Sequence, residues 1–295
     1  MSATVVMSSA ASVDPGPGSI EHAARAARAC LERAGVGPAD VDVLINVGVY
    51  RDGNVVEPSN AALIQREIGM HLDYESGSSR PGFSLDLRNG ARGVLDAVQA
   101  AGALIANGTA ERVLVVGSDA HPGGDDDRFP FATAGGALLL GRGVDGGSGF
   151  GRVYLAPVGS APQAAPGVRG HLELAAMGRE GARSITIDVA PDFAERAIEA
   201  AERAVRTYLA AEADLDPAAT IVLTNNPVPG LAEGLAAGFG FRGHHQAATG
   251  GRQAVSAGLI LALDEYRATP GQDLLLVATG AGPNAGCVRY RVPTR

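Results

Sequence analysis

The sequence predicts an α/β protein built from two duplicated βα halves, stacked as a five-layer α/β/α/β/α sandwich. Two observations carry that expectation. Apolar periodicity alternates along the chain between the two-residue repeat of strands and the 3.6-residue repeat of helices. The second half then repeats the first. Pro38-Ala-Asp-Val-Asp-Val-Leu-Ile-Asn46 aligns without gaps on Pro217-Ala-Ala-Thr-Ile-Val-Leu-Thr-Asn225, an offset of 217 − 38 = 179. Residues 91–117 align on 252–278, an offset of 252 − 91 = 161, and the change of offset is absorbed in a loop.

In order, the first half reads as a strand at 4–9, a helix at 20–34, a strand at 41–47 and a helix at 59–68. A strand at 83–87, an Ala/Gly-rich helix at 91–107 and strands at 112–118 and 136–140 follow. Beyond the Gly-rich stretch 143–151, the second half reads as a strand at 151–156, a Pro/Gly/Ala loop at 158–170 and a strand at 184–189. Then come a helix at 192–210, a strand at 220–224, helices at 230–237 and 253–267, and strands at 273–279 and 286–292. Successive βα units imply parallel strands with helical crossovers. The halves, residues 1–146 and 147–295, should form one compact unit with the buried helices between two sheets.

Composition supports stacked layers. Of the 295 residues 46% are hydrophobic, only 4% are aromatic and none is Trp, so the core must close on small side chains. The formal net charge of −8 argues against nucleic acid or an anionic membrane surface as a partner. No apolar run approaches the roughly 18 residues that span a bilayer. Residues 1–13 have no basic region ahead of their apolar part, so they do not read as a signal peptide, and a cytoplasmic protein is expected. Cys30 and Cys287 are too few and too far apart for a disulfide framework or a zinc site and read as small buried hydrophobes. No metal and no cofactor are expected.

Several segments then carry a resemblance. They are Phe83-Ser-Leu-Asp-Leu-Arg-Asn-Gly-Ala-Arg-Gly-Val94, Glu111-Arg-Val-Leu-Val-Val-Gly-Ser-Asp119 and Phe131-Ala-Thr-Ala-Gly-Gly-Ala137. The helix pattern with Ala262-Leu-Asp-Glu265, and Ala278-Thr-Gly-Ala-Gly-Pro-Asn-Ala-Gly286, complete the set. In this order, from residue 20 to the end, they resemble the ketoacyl-ACP synthase III condensing enzymes of the thiolase superfamily (ACP, acyl carrier protein).

The resemblance implies the thiolase fold and a Cys-His-Asn triad, but the triad positions hold other residues. The Cys position falls on Ala91, the His position on Asn225, and the Asn position at or within one residue of Gln253. Ala91 cannot form a thioester, and neither Asn225 nor Gln253 titrates near neutral pH. The family's oxyanion pair corresponds to the backbone N–H groups of Ala91 and Gly282. Asn89, Asn226 and His245 could line the remaining pocket, with His245 as a replacement base. The segment 9–18 joins the first strand to the first helix directly, without the family's longer insertion or its CoA-clamping Trp.

Other motifs read blandly. Asp125-Asp126-Asp127, near His121, lacks an EF-hand pattern and reads as a solvated loop tip. His22, His71 and His171 read as surface residues. Ser118 lacks the second Gly of a nucleophile elbow, and Gly280-Ala-Gly282 is not followed by the helix of a dinucleotide fingerprint.

Three functions are therefore expected, in descending order. The first is a non-catalytic subunit pairing with an active condensing enzyme in fatty-acid, polyketide or other acyl-derived biosynthesis. Its partner would be a condensing-enzyme paralogue or a second copy of the chain, with acyl-CoA or acyl-ACP as possible ligands. The second is a stand-alone acyltransferase or hydrolase with a rebuilt, non-Cys site. The third is an acyl-chain sensor.

Overall fold

The computed structural model describes residues 4–13, 16, 18–72, 82–124, 129–144, 147–156, 167–172, 183–280 and 284–294. Strands β1 (Thr4–Ser12), β2 (Val43–Asn46), β3 (Phe83–Asp86), β4 (Val113–Asp119) and β5 (Ala134–Arg142) form one sheet, in the order β1-β5-β4-β2-β3. Two-residue strands β6 (Gly149–Phe150) and β7 (Tyr154–Leu155) open the second half, followed by a hairpin of β8 (Val168–His171) and β9 (Thr186–Val189). Strands β10 (Thr220–Thr224), β11 (Gly243–Gln246), β12 (Asp273–Thr279) and β13 (Ala285–Arg291) complete a second sheet in the order β11-β10-β12-β13-β6, with β7 also on β13.

The two sheets share one topology. In the first, β2 runs parallel to β3 and β4, and β5 runs antiparallel to β4 and β1. In the second, β10 runs parallel to β11 and β12, and β13 runs antiparallel to β12, β6 and β7. The repeat read from sequence is thus a repeat of strand order and of strand sense.

Each central strand is apolar on both faces because both faces are covered. Val43 and Ile45 of β2, Val113 and Val115 of β4, and Leu274 and Leu276 of β12 point into the layer between the sheets. That layer holds helices α3 (Gly93–Ala106) and α6 (Gly258–Glu265). The alternate residues Leu44, Leu114 and Val116 meet α1 (Ser19–Ala34) and α2 (Asn60–Ile68) on the outer face of the first sheet. Val222, Leu275 and Val277 meet α4 (Phe193–Ala211) and α5 (Leu231–Phe239) on the outer face of the second. These are the five predicted layers.

Small residues let the middle layer close. A methyl placed on Gly117 would stand 2.7 Å from the Ser256 carbonyl oxygen, and one on Gly136, its cross-strand neighbour, 2.7 Å from Ile260 Cγ2. Helix α6 of the second half therefore lies directly on the first sheet. Conversely, a methyl on Gly286 of β13 would stand 3.1 Å from Leu95 Cδ1 of α3. Each buried helix serves both sheets.

Three local expectations change. The helix expected from 253 begins at Gly258, because preceding groups are held elsewhere: Gln253 O accepts from Ala132 N at 2.9 Å, and Ser256 N donates to Asp119. The end of the expected loop at 158–170 belongs to β8; residues 157–166 lie outside the described residues. β11 was missed because Gly243-His-His-Gln246 lacks the β-branched residues that signal a strand, and its pairing with β10 supplies the order instead.

His22 is also corrected: it is fully buried in α1, not on the surface. Its Nδ1 sits 3.0 Å from Ser12 Oγ and 3.2 Å from Ser12 O, and its Nε2 is buried with no hydrogen-bond partner among the described residues. Burial holds its pKa below the ordinary 6.5. The unfolded chain therefore binds a proton that the folded chain resists. Stability from this group is present above about pH 6.5 and is lost as pH falls. The urea midpoint should drop from pH 7.5 to 5.5, and His22→Gln should flatten that drop; an equal drop in both proteins would remove His22 as the cause.

Candidate functional site

Of the predicted site residues, Ala91, Asn225, Asn226 and Gln253 lie where the parallel strands end and the buried helices begin. This is where open α/β sheets usually offer a crevice. A methyl on Gly93, the first residue of α3, would stand 3.0 Å from Val47 Cβ. One on Gly258, the first residue of α6, would stand 2.9 Å from Asn225 Cβ. Val47 and Ser256 both border Gly117, so the starts of α3 and α6 converge at the end of β4.

Ala91 lies two residues ahead of α3 and is 1% exposed. The turn before it passes through Gly90 in the left-handed region, at φ 55°. Asn89 bridges Ala91, but its side chain is exposed and donates from Nδ2 to Asp96 Oδ2 at 2.7 Å. It therefore braces the first turn of α3.

Asn225 is 1% exposed, and both ends of its amide are taken. Its Nδ2 donates to Thr279 O at 3.0 Å, and its Oδ1 accepts from Thr279 N at 2.9 Å. The side chain completes the ladder at the end of β12, so it is held as a structural clasp. Asn226 has a left-handed backbone, φ 49°, which Asn tolerates better than most residues. Its Oδ1 is buried without a hydrogen-bond partner among the described residues. Gln253 forms a bridge to Phe131, tying the second repeat to the turn before β5. Gly282 lies outside the described residues, as do Asp125, Asp126 and Asp127.

His245 is not brought to this crevice. It sits on edge strand β11 beside Leu223, with Nε2 3.4 Å from Glu265 Oε2 and its ring 5.7 Å from the Tyr266 ring. Glu265 is the last residue of α6, roughly 10 Å along the helix from the Gly258 end that faces Asn225, at about 1.5 Å per residue. The same carboxylate caps Ala248 N at 3.0 Å.

Two acidic residues that the sequence did not single out organise the site. Asp119 is 1% exposed at the end of β4. Its Oδ1 accepts from Val49 N at 2.9 Å and Tyr50 N at 2.8 Å; its Oδ2 accepts from Ser256 N at 2.8 Å and Ser256 Oγ at 2.5 Å. One carboxylate thus joins the loop after β2 to the segment leading into α6. Asp86, at the end of β3, accepts from Asn46 Nδ2 at 2.9 Å and from Asn60 N and Ala61 N at the start of α2. The only available signal was an Asp closing an apolar strand in each case.

No cysteine nucleophile is poised here. Burial raises the Cys30 thiol to about 11 and raises Cys287 further. Among the described residues, no group of three His, Cys, Asp or Glu side chains could hold a metal ion.

No protein-family model matches the chain. Over 97 residues it is 40% identical to the beta-ketoacyl-[acyl-carrier-protein] synthase III of Cereibacter sphaeroides, covering 33% of this chain and 27% of that protein. Over 104 residues it is 34% identical to the same-named protein of Brucella canis, covering 35% and 29%. The matched stretch thus spans between a quarter and a third of the length of these curated relatives. Among solved structures, a 3-oxoacyl-(acyl carrier protein) synthase III from Pseudomonas aeruginosa superposes with a TM-score of 0.73 at 19% identity, over 99% of this chain and 98% of that one. The priming beta-ketosynthase of the R1128 polyketide pathway gives 0.76 at 19% identity, over 99% and 96%.

The architecture is therefore the thiolase fold of condensing enzymes. Within that class, this chain is similar to ketoacyl-ACP synthase III proteins in sequence over a third of its length and in fold throughout.

Proposed function

We propose that this chain is a non-catalytic, cytoplasmic subunit that pairs with an active condensing enzyme in fatty-acid, polyketide or other acyl-derived biosynthesis. The observation that carries the reading is the methyl group of Ala91 at the start of α3. Acyl transfer through a covalent intermediate needs a nucleophile there. Asn225 supports the same reading, since an amide clasped at both ends to Thr279 is not free to turn toward a substrate. The partner part of the proposal draws on β3, the edge of the first sheet, where Phe83 is 48% exposed. An open edge strand offers a row of backbone groups to another strand.

Co-expression with condensing-enzyme paralogues tests the proposal. A heterodimer should co-purify and condense acyl-CoA with malonyl-ACP, while this chain alone shows no turnover. Ala91→Cys in this chain alone should remain inactive, because Asn225 stays clasped. An active homodimer of the unaltered chain would overturn the reading.

A further inference from the structure

Two Asn-Gly pairs occur in the sequence, Asn89-Gly90 ahead of α3 and Asn107-Gly108 after it, and both asparagines are exposed. Glycine has no side chain to shield its own amide nitrogen, so this pairing is the one most open to ring closure. The Gly nitrogen gives up its proton to water and attacks the Asn Cγ. A C–N bond forms, the side-chain nitrogen takes a proton and leaves as ammonia, and a succinimide ring remains. Water then opens the ring at either carbonyl. The products are aspartate, or isoaspartate with the main chain routed through the side-chain carbon.

Backbone conformation does not separate the two sites, since Gly90 and Gly108 are both left-handed, at φ 55° and 78°. Hydrogen bonding does. At the second site the nucleophile is engaged, because Gly108 N donates to Ile105 O at 3.2 Å. The electrophile is engaged too, with Asn107 Oδ1 accepting from Thr109 N at 2.9 Å. Both bonds must break before the ring can close. At the first site the Gly90 amide donates to no acceptor among the described residues. Asn89 is held through Nδ2, which donates to Asp96 Oδ2 at 2.7 Å. That nitrogen is the one that leaves, so its bond does not block attack on Cγ.

We propose that Asn89 is a site of spontaneous deamidation through a succinimide with Gly90, while the folded chain shields Asn107. The product alters the turn that carries Ala91. A carboxylate at position 89 would face Asp96 where an N–H donor now stands, exchanging a charge-assisted hydrogen bond for repulsion between like charges. Attraction to the start of α3 offsets only part of that loss. The first turn of α3 is thereby weakened as the protein ages, whether or not the chain has a partner.

Incubation of the full chain at about pH 8.5 and 37 °C, with peptic peptides mapped by mass spectrometry, tests the proposal. Peptides holding Asn89 should gain the amide-to-acid mass at least tenfold faster than those holding Asn107, roughly the factor that one net hydrogen bond supplies. In concentrated urea the two sites should convert at similar rates, because no fold remains to separate them. Asn89→Asp should speed hydrogen exchange of the Leu95 and Asp96 amides, which close the first turn of α3 onto Arg92 O. Three results would each overturn the assignment: equal rates at the two sites in the folded chain, faster conversion at Asn107, or no conversion at Asn89 while the urea-unfolded chain converts fully. A tenfold difference that survives urea would remove the hydrogen bonds as its cause, and unchanged exchange in Asn89→Asp would overturn the consequence for α3.

Discussion

Asp119→Ala should lower the unfolding free energy by about 4 kcal/mol, measured by urea denaturation followed by far-UV circular dichroism, since the chain has no Trp to report by fluorescence. Four donors lose their acceptor at once: the amides of Val49, Tyr50 and Ser256 and the Ser256 hydroxyl. A buried donor without a partner costs about 1–3 kcal/mol, and water entering the vacated space recovers only part of the sum. Asp119→Asn separates hydrogen bonding from volume, because it keeps the shape while presenting an amide N–H₂ group to one pair of donors. It should lose nearly as much as Asp119→Ala. A loss under about 1 kcal/mol in both variants would mean that the carboxylate is not the clasp between the halves.

Gly117→Ala should cost about 2–3 kcal/mol, at the upper end of the usual overpacking range. The added methyl would stand 2.7 Å from Ser256 O, 3.0 Å from its carbonyl carbon and 3.1 Å from Val47 Cγ2. The first two atoms are backbone, and neither can rotate away. Gly234→Ala, at an exposed position of α5 with nothing within 4 Å of the new methyl, is the control. It should stabilise by about 0.5–1 kcal/mol through helix propensity. Equal effects at Gly117 and Gly234 would show that the middle layer tolerates expansion. The double variant Gly117→Ala/Asp119→Ala should fall short of the sum, because both substitutions act on Ser256.

The sequence made some of this legible because the informative signals were local or repeated. Apolar periodicity located the central strands, and the Asn46 and Asn225 repeats predicted the matching topology of the two sheets. The same reading placed Ala91 at the mouth of a buried helix. What it missed depends on partners far away in the chain. Asn225 looked like a free polar group until Thr279, 54 residues on, took both ends of its amide. His245 looked like a loop residue able to line the crevice, but its sheet neighbour and Glu265 hold it at the opposite end of α6. Strand β11 owes its order to β10 and not to propensity. Asp119 gave no local sign that it would collect four donors, two of them from a residue 137 positions later.

That last separation has a consequence for synthesis. The first sheet, with its bare Gly117 and Gly136, takes its inner cover partly from α6. Asp119 leaves the ribosome 137 residues before Ser256, about 7 to 27 s earlier at roughly 5–20 residues per second. During that interval the nascent first half has Val49 and Tyr50 for the Asp119 carboxylate, but neither Ser256 nor the cover of α6. The first half therefore waits with that face uncovered until its own second half arrives.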